Sequence, residues 1–217
     1  MRTADSLAGE AAHDEIRAWC LETQAWRVLI LGDHRGAASL ALGAQQLAPR
    51  GSSALIQATA QEGRAWARLG DAASTTRIVA AVNRMVDPLS VPDRPEHHYR
   101  YDPAKAASYT ATTLSWVGDP AAVDYAREVI SRLQLGDAHG GRPRRLAVAR
   151  LDLSLALIGQ GEMAEAVESA LTAVTSGRVA PSNRWRAREV VRAAERAGTR
   201  DAAGLRDAYA EMTGGDG

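Results

Sequence analysis

The side chains best suited to chemistry crowd into one short segment, Pro95-Glu96-His97-His98-Tyr99-Arg100-Tyr101-Asp102-Pro103. His97 and His98 could transfer protons near neutral pH or hydrogen-bond to a ligand, and Tyr101 could assist either role. Adjacent histidines rarely chelate one metal, and the sequence has no second His or Cys cluster at ligand spacing. We therefore predict no metal site. The alternative role for this segment is a loop that ties helix ends together through hydrogen bonds.

A second set of capable side chains recurs at fixed distances before four turn glycines. The turns are Leu31-Gly32-Asp33, Leu69-Gly70-Asp71, Val117-Gly118-Asp119 and Gln160-Gly161-Glu162. Positions six, nine and thirteen residues before each glycine share one helix face. In chain order they hold Trp26, Thr23 and Trp19; Arg64, Gln61 and Gln57; Thr112, Tyr109 and Lys105; and Leu155, Asp152 and Val148. Aromatic rings beside Arg and Lys can anchor a peptide or a small organic ligand.

This face is predicted to line a concave groove, with Arg64, Lys105 and Tyr109 converging across neighbouring repeats. The predicted ligand-binding residues are Trp19, Glu22, Trp26, Gln57, Gln61, Arg64, His97, His98, Tyr101, Lys105 and Tyr109. Two alternatives stay open: the tryptophans are core residues, and the polar residues of the second hairpin form a solvated face. No catalytic residue and no cofactor is predicted.

The elements that position these side chains are helices. Each turn glycine supplies the positive φ that ends one helix, and the acid after it can cap the next. The turns are 38, 48 and 43 residues apart, the range of helical-hairpin repeats. The sequence predicts an all-α, right-handed, TPR-like solenoid of antiparallel helix pairs. The ten expected helices span 11–31, 34–48, 52–69, 72–86, 103–117, 120–135, 143–159, 163–177, 182–198 and 201–212. An apolar stripe one, four, eight and twelve residues before each glycine is the predicted packing seam.

Composition agrees with one soluble, cytoplasmic body. The net charge is +0, which favours neither nucleic acid nor a membrane surface, and one cysteine excludes an internal disulfide framework. The first residues lead into no apolar stretch that would suggest a signal peptide. We expect a flexible N-terminus over residues 1–10, one helical repeat domain over 11–212 and a disordered tail over 213–217.

Several segments together resemble a known family. They are 15–23, 51–71, the Asp93-to-Pro103 segment and 176–183, and the most specific part is Pro95 to Pro103 within the third. They resemble the tetratricopeptide-like C-terminal domain of actinobacterial Xre-type helix-turn-helix regulators, over residues 11–212. The resemblance implies repeats that sense a ligand or mediate oligomerisation beside an N-terminal DNA-binding domain. Only about ten residues precede the first predicted helix. The chain is then either the sensor half of a regulator or a natural protein without the DNA reader.

Two function classes follow. The favoured hypothesis is a non-enzymatic interaction or ligand-sensing module of a transcriptional regulator, which binds a protein, peptide or small molecule in its groove. Its further partners could be a DNA-binding domain or a second copy of itself, and no direct contact with nucleic acid or a membrane is predicted. The alternative is a stand-alone small-molecule-binding protein or enzyme of a biosynthetic pathway, using His97, His98, Tyr101 and Tyr109.

Overall fold

The computed structural model describes residues 2–90, 100–135 and 142–214, and the regular structure in these ranges is helical throughout. In this part of the chain, eleven α-helices and one 3₁₀ turn at Pro181–Asn183 follow one another without a strand. The helices are α1 Arg2–Glu10, α2 Asp14–Ile30, α3 His34–Leu47, α4 Ser53–Arg68, α5 Ala72–Val86, α6 Pro103–Trp116, α7 Ala121–Leu135, α8 Pro143–Gln160, α9 Met163–Thr175, α10 Arg184–Arg196 and α11 Ala202–Gly214. The predicted all-α class is confirmed.

The ten expected helices correspond to α2 through α11, with ends that differ by a few residues. The N-terminus differs from the prediction, because Arg2–Glu10 forms α1 where a flexible segment was expected. Ala12, at φ 51°, separates α1 from α2. At the other end, Thr213 and Gly214 belong to α11, and the rest of the expected disordered tail lies outside the described residues.

The four turns have the predicted backbone, since their glycines adopt φ between 70° and 93°. Asp33, Asp71 and Asp119 each accept a hydrogen bond from a backbone N–H of the following helix, at 2.8–2.9 Å. Glu162 makes no side-chain capping bond, so the predicted cap is wrong at the fourth turn. Its extra methylene explains the difference, because the N-cap position favours the shorter side chains of Asp, Asn and Ser.

The chain divides into two compact units, Met1–Tyr109 and Thr110–Gly217, with the division inside α6. In unit 1, α2 packs on α3, α3 on α4 and α4 on α5, while α2 also contacts α4. In unit 2, α7 and α9 pack on α8, and α10 contacts α8, α9 and α11. Contacts between the first helices of consecutive hairpins are typical of stacked helix pairs. A single continuous domain over 11–212 stays a prediction.

The predicted packing seam holds along the helices and fails at the turns. The residues twelve positions before each turn glycine are all buried: Cys20, Ala58, Ala106 and Ala149. The residues immediately before the first two glycines, Leu31 and Leu69, are instead 73% and 37% exposed. Both are C-cap residues, where the chain has already left the part of the helix that packs on its neighbours.

Candidate functional site: a buried polar cluster

One face of α4 carries three polar side chains into the interior of unit 1. Gln57, Gln61 and Arg64 are spaced by four and three residues, which places them on the same helix face. Gln61 is 0% and Arg64 3% exposed, and Gln57 is half-buried. The interpretation of this trio as a solvated face is therefore wrong, because α4 is covered by α2, α3 and α5.

Arg64 lies against two aromatic rings from neighbouring helices. Its Cζ is 5.0 Å from the ring centroid of Trp26 on α2 and 4.0 Å from that of Tyr109 on α6. Its Nη1 donates to Gln61 Oε1 at 3.4 Å. Cation–π contacts of a desolvated Arg are worth about 2 kcal/mol. Arg64 and Tyr109 thus come together, but Arg64 lies in the interior, which corrects the expectation that its side chain lines an open groove.

Glu22 joins α2 to the same face of α4. Its carboxylate, on a side chain 5% exposed, accepts a hydrogen bond from Gln57 Nε2 at 3.1 Å. Burial raises the pKa of Glu22 above its ordinary value of 4.5, and the Gln57 hydrogen bond and the Arg64 charge act in the opposite direction. The charged form of this carboxyl group is therefore costly, although Gln57, Arg64 and Thr23 all favour it.

Tyr101, two residues before the start of α6, approaches this group. Its ring centroid is 6.4 Å from that of Tyr109, and its backbone N–H donates to Ser53 Oγ at 3.0 Å. The hydroxyl is buried and has no hydrogen-bond partner among the described residues. Burial raises the pKa of Tyr101, so the hydroxyl keeps its proton and can donate. We call the whole set the unit 1 polar cluster: Glu22, Trp26, Gln57, Gln61, Arg64, Tyr101 and Tyr109.

The other predicted site residues lie elsewhere. Trp19 belongs to an apolar core cluster with Ala18, Ala48 and Ala54, as the core interpretation of this tryptophan predicts. Lys105 is half-buried on α6, one turn before Tyr109. His97 and His98 lie outside the described residues.

Unit 2 contains a second buried polar cluster, formed by Thr112, Asp152 and Arg186. The Arg186 guanidinium forms an ion pair with Asp152 Oδ1 and donates to Thr112 Oγ1 at 3.1 Å. Thr112 Oγ1 donates in turn to Asp152 Oδ2 at 2.8 Å. The Arg186 Cζ lies 4.8 Å from the ring of Trp185, which is 6.2 Å from the ring of Trp116.

The repeat register connects the two clusters. Arg64 meets Tyr109 in unit 1, and Thr112 meets Asp152 in unit 2. Each pair joins the position six residues before one turn glycine to the position nine residues before the next. Sequence reasoning missed Arg186, whose helix ends at a fifth turn, Ala197-Gly198-Thr199. Gly198 adopts φ 67° like the other turn glycines, but no acid follows it. Gly198 lies about one repeat length after Gly161, and this spacing could have indicated a fifth repeat turn.

Two further properties concern the residues that the structure describes. Within them, no group of three or more His, Cys, Asp or Glu side chains is arranged to hold a metal ion. None of the described helices combines the length and the apolar character needed to cross a membrane.

Comparison with known proteins identifies the fold. No family model and no curated protein matches the sequence. Among solved structures, the chain is similar to a crystal structure of nearly identical TPR-like repeats from a Podosopora anserina protein, provisionally assigned as a kinesin light chain. The match has a TM-score of 0.57 and 18% sequence identity, and it covers 93% of this chain and 96% of the other. At this identity the likeness shows the fold alone, and that fold is TPR-like.

Proposed function

We propose that this chain is a non-enzymatic recognition module that binds its ligand at the unit 1 polar cluster. One observation carries the proposal: the Arg64 guanidinium and the Gln57 and Gln61 amides of α4 meet two aromatic rings and a buried carboxylate from α2 and α6. Buried polar groups normally find hydrogen-bond partners, yet Gln61 Nε2 and the Tyr101 hydroxyl have none among the described residues. TPR-like repeats commonly serve as binding modules, which agrees with recognition rather than catalysis.

Release of bound compounds from purified protein tests this proposal. The protein is denatured, and mass spectrometry compares what the wild type and Trp26→Leu release. The matched control is Trp185→Leu, which removes an indole ring from a buried arginine in unit 2. We expect a stoichiometric compound from the wild type and from Trp185→Leu, and its loss from Trp26→Leu. The same compound retained by Trp26→Leu would move the binding site away from the unit 1 polar cluster.

The regulatory role of this module is also a proposal, supported by the resemblance of segments such as Pro95-to-Pro103 to the sensor repeats of Xre-type regulators. In that role the bound compound would be the signal, and a DNA-binding domain would be its output. The gene neighbourhood tests it: close relatives encoded with a fused or adjacent helix-turn-helix domain support regulation. A biosynthetic gene cluster without such a domain would favour a stand-alone binding protein.

A further inference from the structure

A surface groove of unit 2 lies between α9 and the start of α11. Its volume is about 600 Å³, and its residues all belong to unit 2. Its floor is apolar, with Val167 buried and Leu171 half-buried. A Cβ added to Gly204 would meet no heavy atom within 4 Å, so the groove has free space on its α11 side. The residues that line this α9–α11 groove are Ala164, Val167, Glu168, Leu171, Thr172, Thr175, Arg200, Asp201 and Gly204.

The wall that α9 contributes to the groove allows a second helix to come close. Thr172 and Thr175 are exposed, and their hydroxyls donate to the backbone carbonyls of Glu168 and Leu171 at 2.9 and 2.8 Å. The hydroxyl donors are therefore already satisfied within α9, and contact with a partner would not leave them unpaired. Ala164, also exposed, extends this wall of small side chains. Because side-chain size sets the distance between packed helices, small residues favour a close approach.

Three charged side chains at the rim of the groove have no partner in the part of the chain that the structure describes. Glu168, Arg200 and Asp201 are exposed, and none of their side chains forms a hydrogen bond or an ion pair with a described residue. Other exposed charges of unit 2 are paired within the chain, as Arg206 is with Asp207 at 3.3 Å. The rim thus carries charge of both signs that the described residues do not neutralise.

The other acids near α9 face away from the groove, towards α7. Glu165 forms an ion pair with Arg127 at 2.8 Å, and Glu162 also interacts electrostatically with Arg127. The charges that line the groove are therefore two acids and one arginine. A partner with charge of one sign only would meet like charge, either at the arginine or at the acids. A surface that carries both signs satisfies all three groups.

We propose that the α9–α11 groove is the contact between two copies of this chain related by a two-fold axis. Helix α9 of each copy lies in the groove of the other, and each Arg200 meets the Glu168 and Asp201 of the second copy. A two-fold contact uses one surface twice, so that surface must complement itself, as an unpaired arginine beside unpaired acids does. Nine residues line the groove, against about 20–30 a side in a standard interface, so association should be weak and reversible.

Sedimentation velocity of the full 217-residue chain tests self-association. We expect a reversible monomer–dimer equilibrium with a Kd on the order of 10⁻⁵ M, in keeping with the small contact. Raising the salt from about 0.05 M to about 0.5 M should weaken the dimer, because exposed ion pairs are screened. A chain that stays monomeric up to about 10⁻³ M would overturn the proposal. Open-ended polymers would also overturn it, since a two-fold contact closes at the dimer.

An exchange of charges tests the surface. Glu168→Arg alone and Arg200→Glu alone should each weaken the dimer at least about tenfold, because like charges then face each other across the contact. An equimolar mixture of the two variants should associate as tightly as the wild type, since opposite charges meet again. Both positions are exposed, so the variants should fold. The matched controls, Arg192→Glu and Glu195→Arg, change exposed residues of α10 outside the groove and should dimerise like the wild type.

The outcomes of this exchange are separate from those for ligand recognition. Single variants that dimerise as tightly as the wild type would overturn the groove as the contact. Single variants that weaken the dimer without restoration in the mixture would overturn the pairing of Arg200 with Glu168 across the two-fold axis. Neither result bears on a compound released from the unit 1 polar cluster, because the groove belongs to unit 2. Conversely, the absence of such a compound would leave the dimer standing.

Discussion

At the scale of the residue, the protonation of Glu22 should make the free energy of unfolding depend on pH. Burial raises its pKa above 4.5, so the folded state holds the proton more tightly than the unfolded state. The stability that protonated Glu22 contributes is fully present below pH 4.5, its ordinary pKa. It is lost as the pH rises through the higher pKa of the folded state. The charges and hydrogen bonds that face Glu22 oppose this trend, and they come from Thr23, Gln57 and Arg64.

Glu22→Gln should therefore raise the free energy of unfolding at pH 7. The amide keeps an acceptor for Gln57 and has no charge to desolvate, and the gain should vanish below about pH 4.5, where the wild-type carboxyl is protonated. Urea denaturation across pH 4–8 measures the difference. Glu195→Gln, at an exposed residue of α10, should change little and serves as the control. A loss of stability at pH 7 in Glu22→Gln would mean that attraction to Arg64 outweighs burial.

At the scale of the element, the unit 2 cluster ties three helices together. Thr112 lies on α6, Asp152 on α8 and Arg186 on α10, and their side chains are nearly inaccessible to solvent. Breaking a buried ion pair leaves an uncompensated charge, whereas replacing both partners by apolar groups is often neutral. Removing one charged member of this cluster should therefore destabilise unit 2 more than replacing both charged members by apolar residues.

Arg186→Met should cost about 3–5 kcal/mol of unfolding free energy, and Asp152→Leu combined with Arg186→Met should recover most of that loss. The exposed ion pair Arg127–Glu165, between α7 and α9, supplies the control. Arg127→Ala should cost at most about 1 kcal/mol, because exposed pairs contribute little. Chemical denaturation of the four proteins measures these differences. A double variant as unstable as Arg186→Met would show that the pair stabilises unit 2 by more than charge compensation.

The sequence reveals which polar residues of the site share one helix, but it does not reveal which other helices cover them. The spacing of Gln57, Gln61 and Arg64 reveals a shared helix face, because helix geometry is local. Their burial depends on which rings arrive from α2 and α6, and a single-helix pattern does not contain that information. The polarity of this face suggested solvent, while Trp26 and Tyr109 cover Arg64 in the structure. Arg186 escaped prediction for another local reason, because Thr199 follows its turn glycine instead of an acid.

At the scale of the whole molecule, charge bears on nucleic-acid binding. Twenty-six basic and 26 acidic residues give a net charge of +0, while neutralisation of phosphates supplies most non-specific affinity for DNA. Seven arginines fall between Arg178 and Arg200, the longer of two arginine-rich stretches. One of them, Arg186, is buried in an ion pair with Asp152 and cannot reach a phosphate without breaking it.

We predict that the 217-residue chain binds no specific DNA by itself. An anisotropy titration at about 150 mM salt should show binding no tighter than roughly 10⁻⁴ to 10⁻⁶ M, equal for unrelated sequences. The matched variant is Arg188→Ala, at an exposed arginine of α10, which should leave the titration unchanged. Sequence-selective nanomolar binding that Arg188→Ala weakens would contradict the prediction. It would place DNA recognition on α10, because a helix that reads bases must present its side chains to a groove.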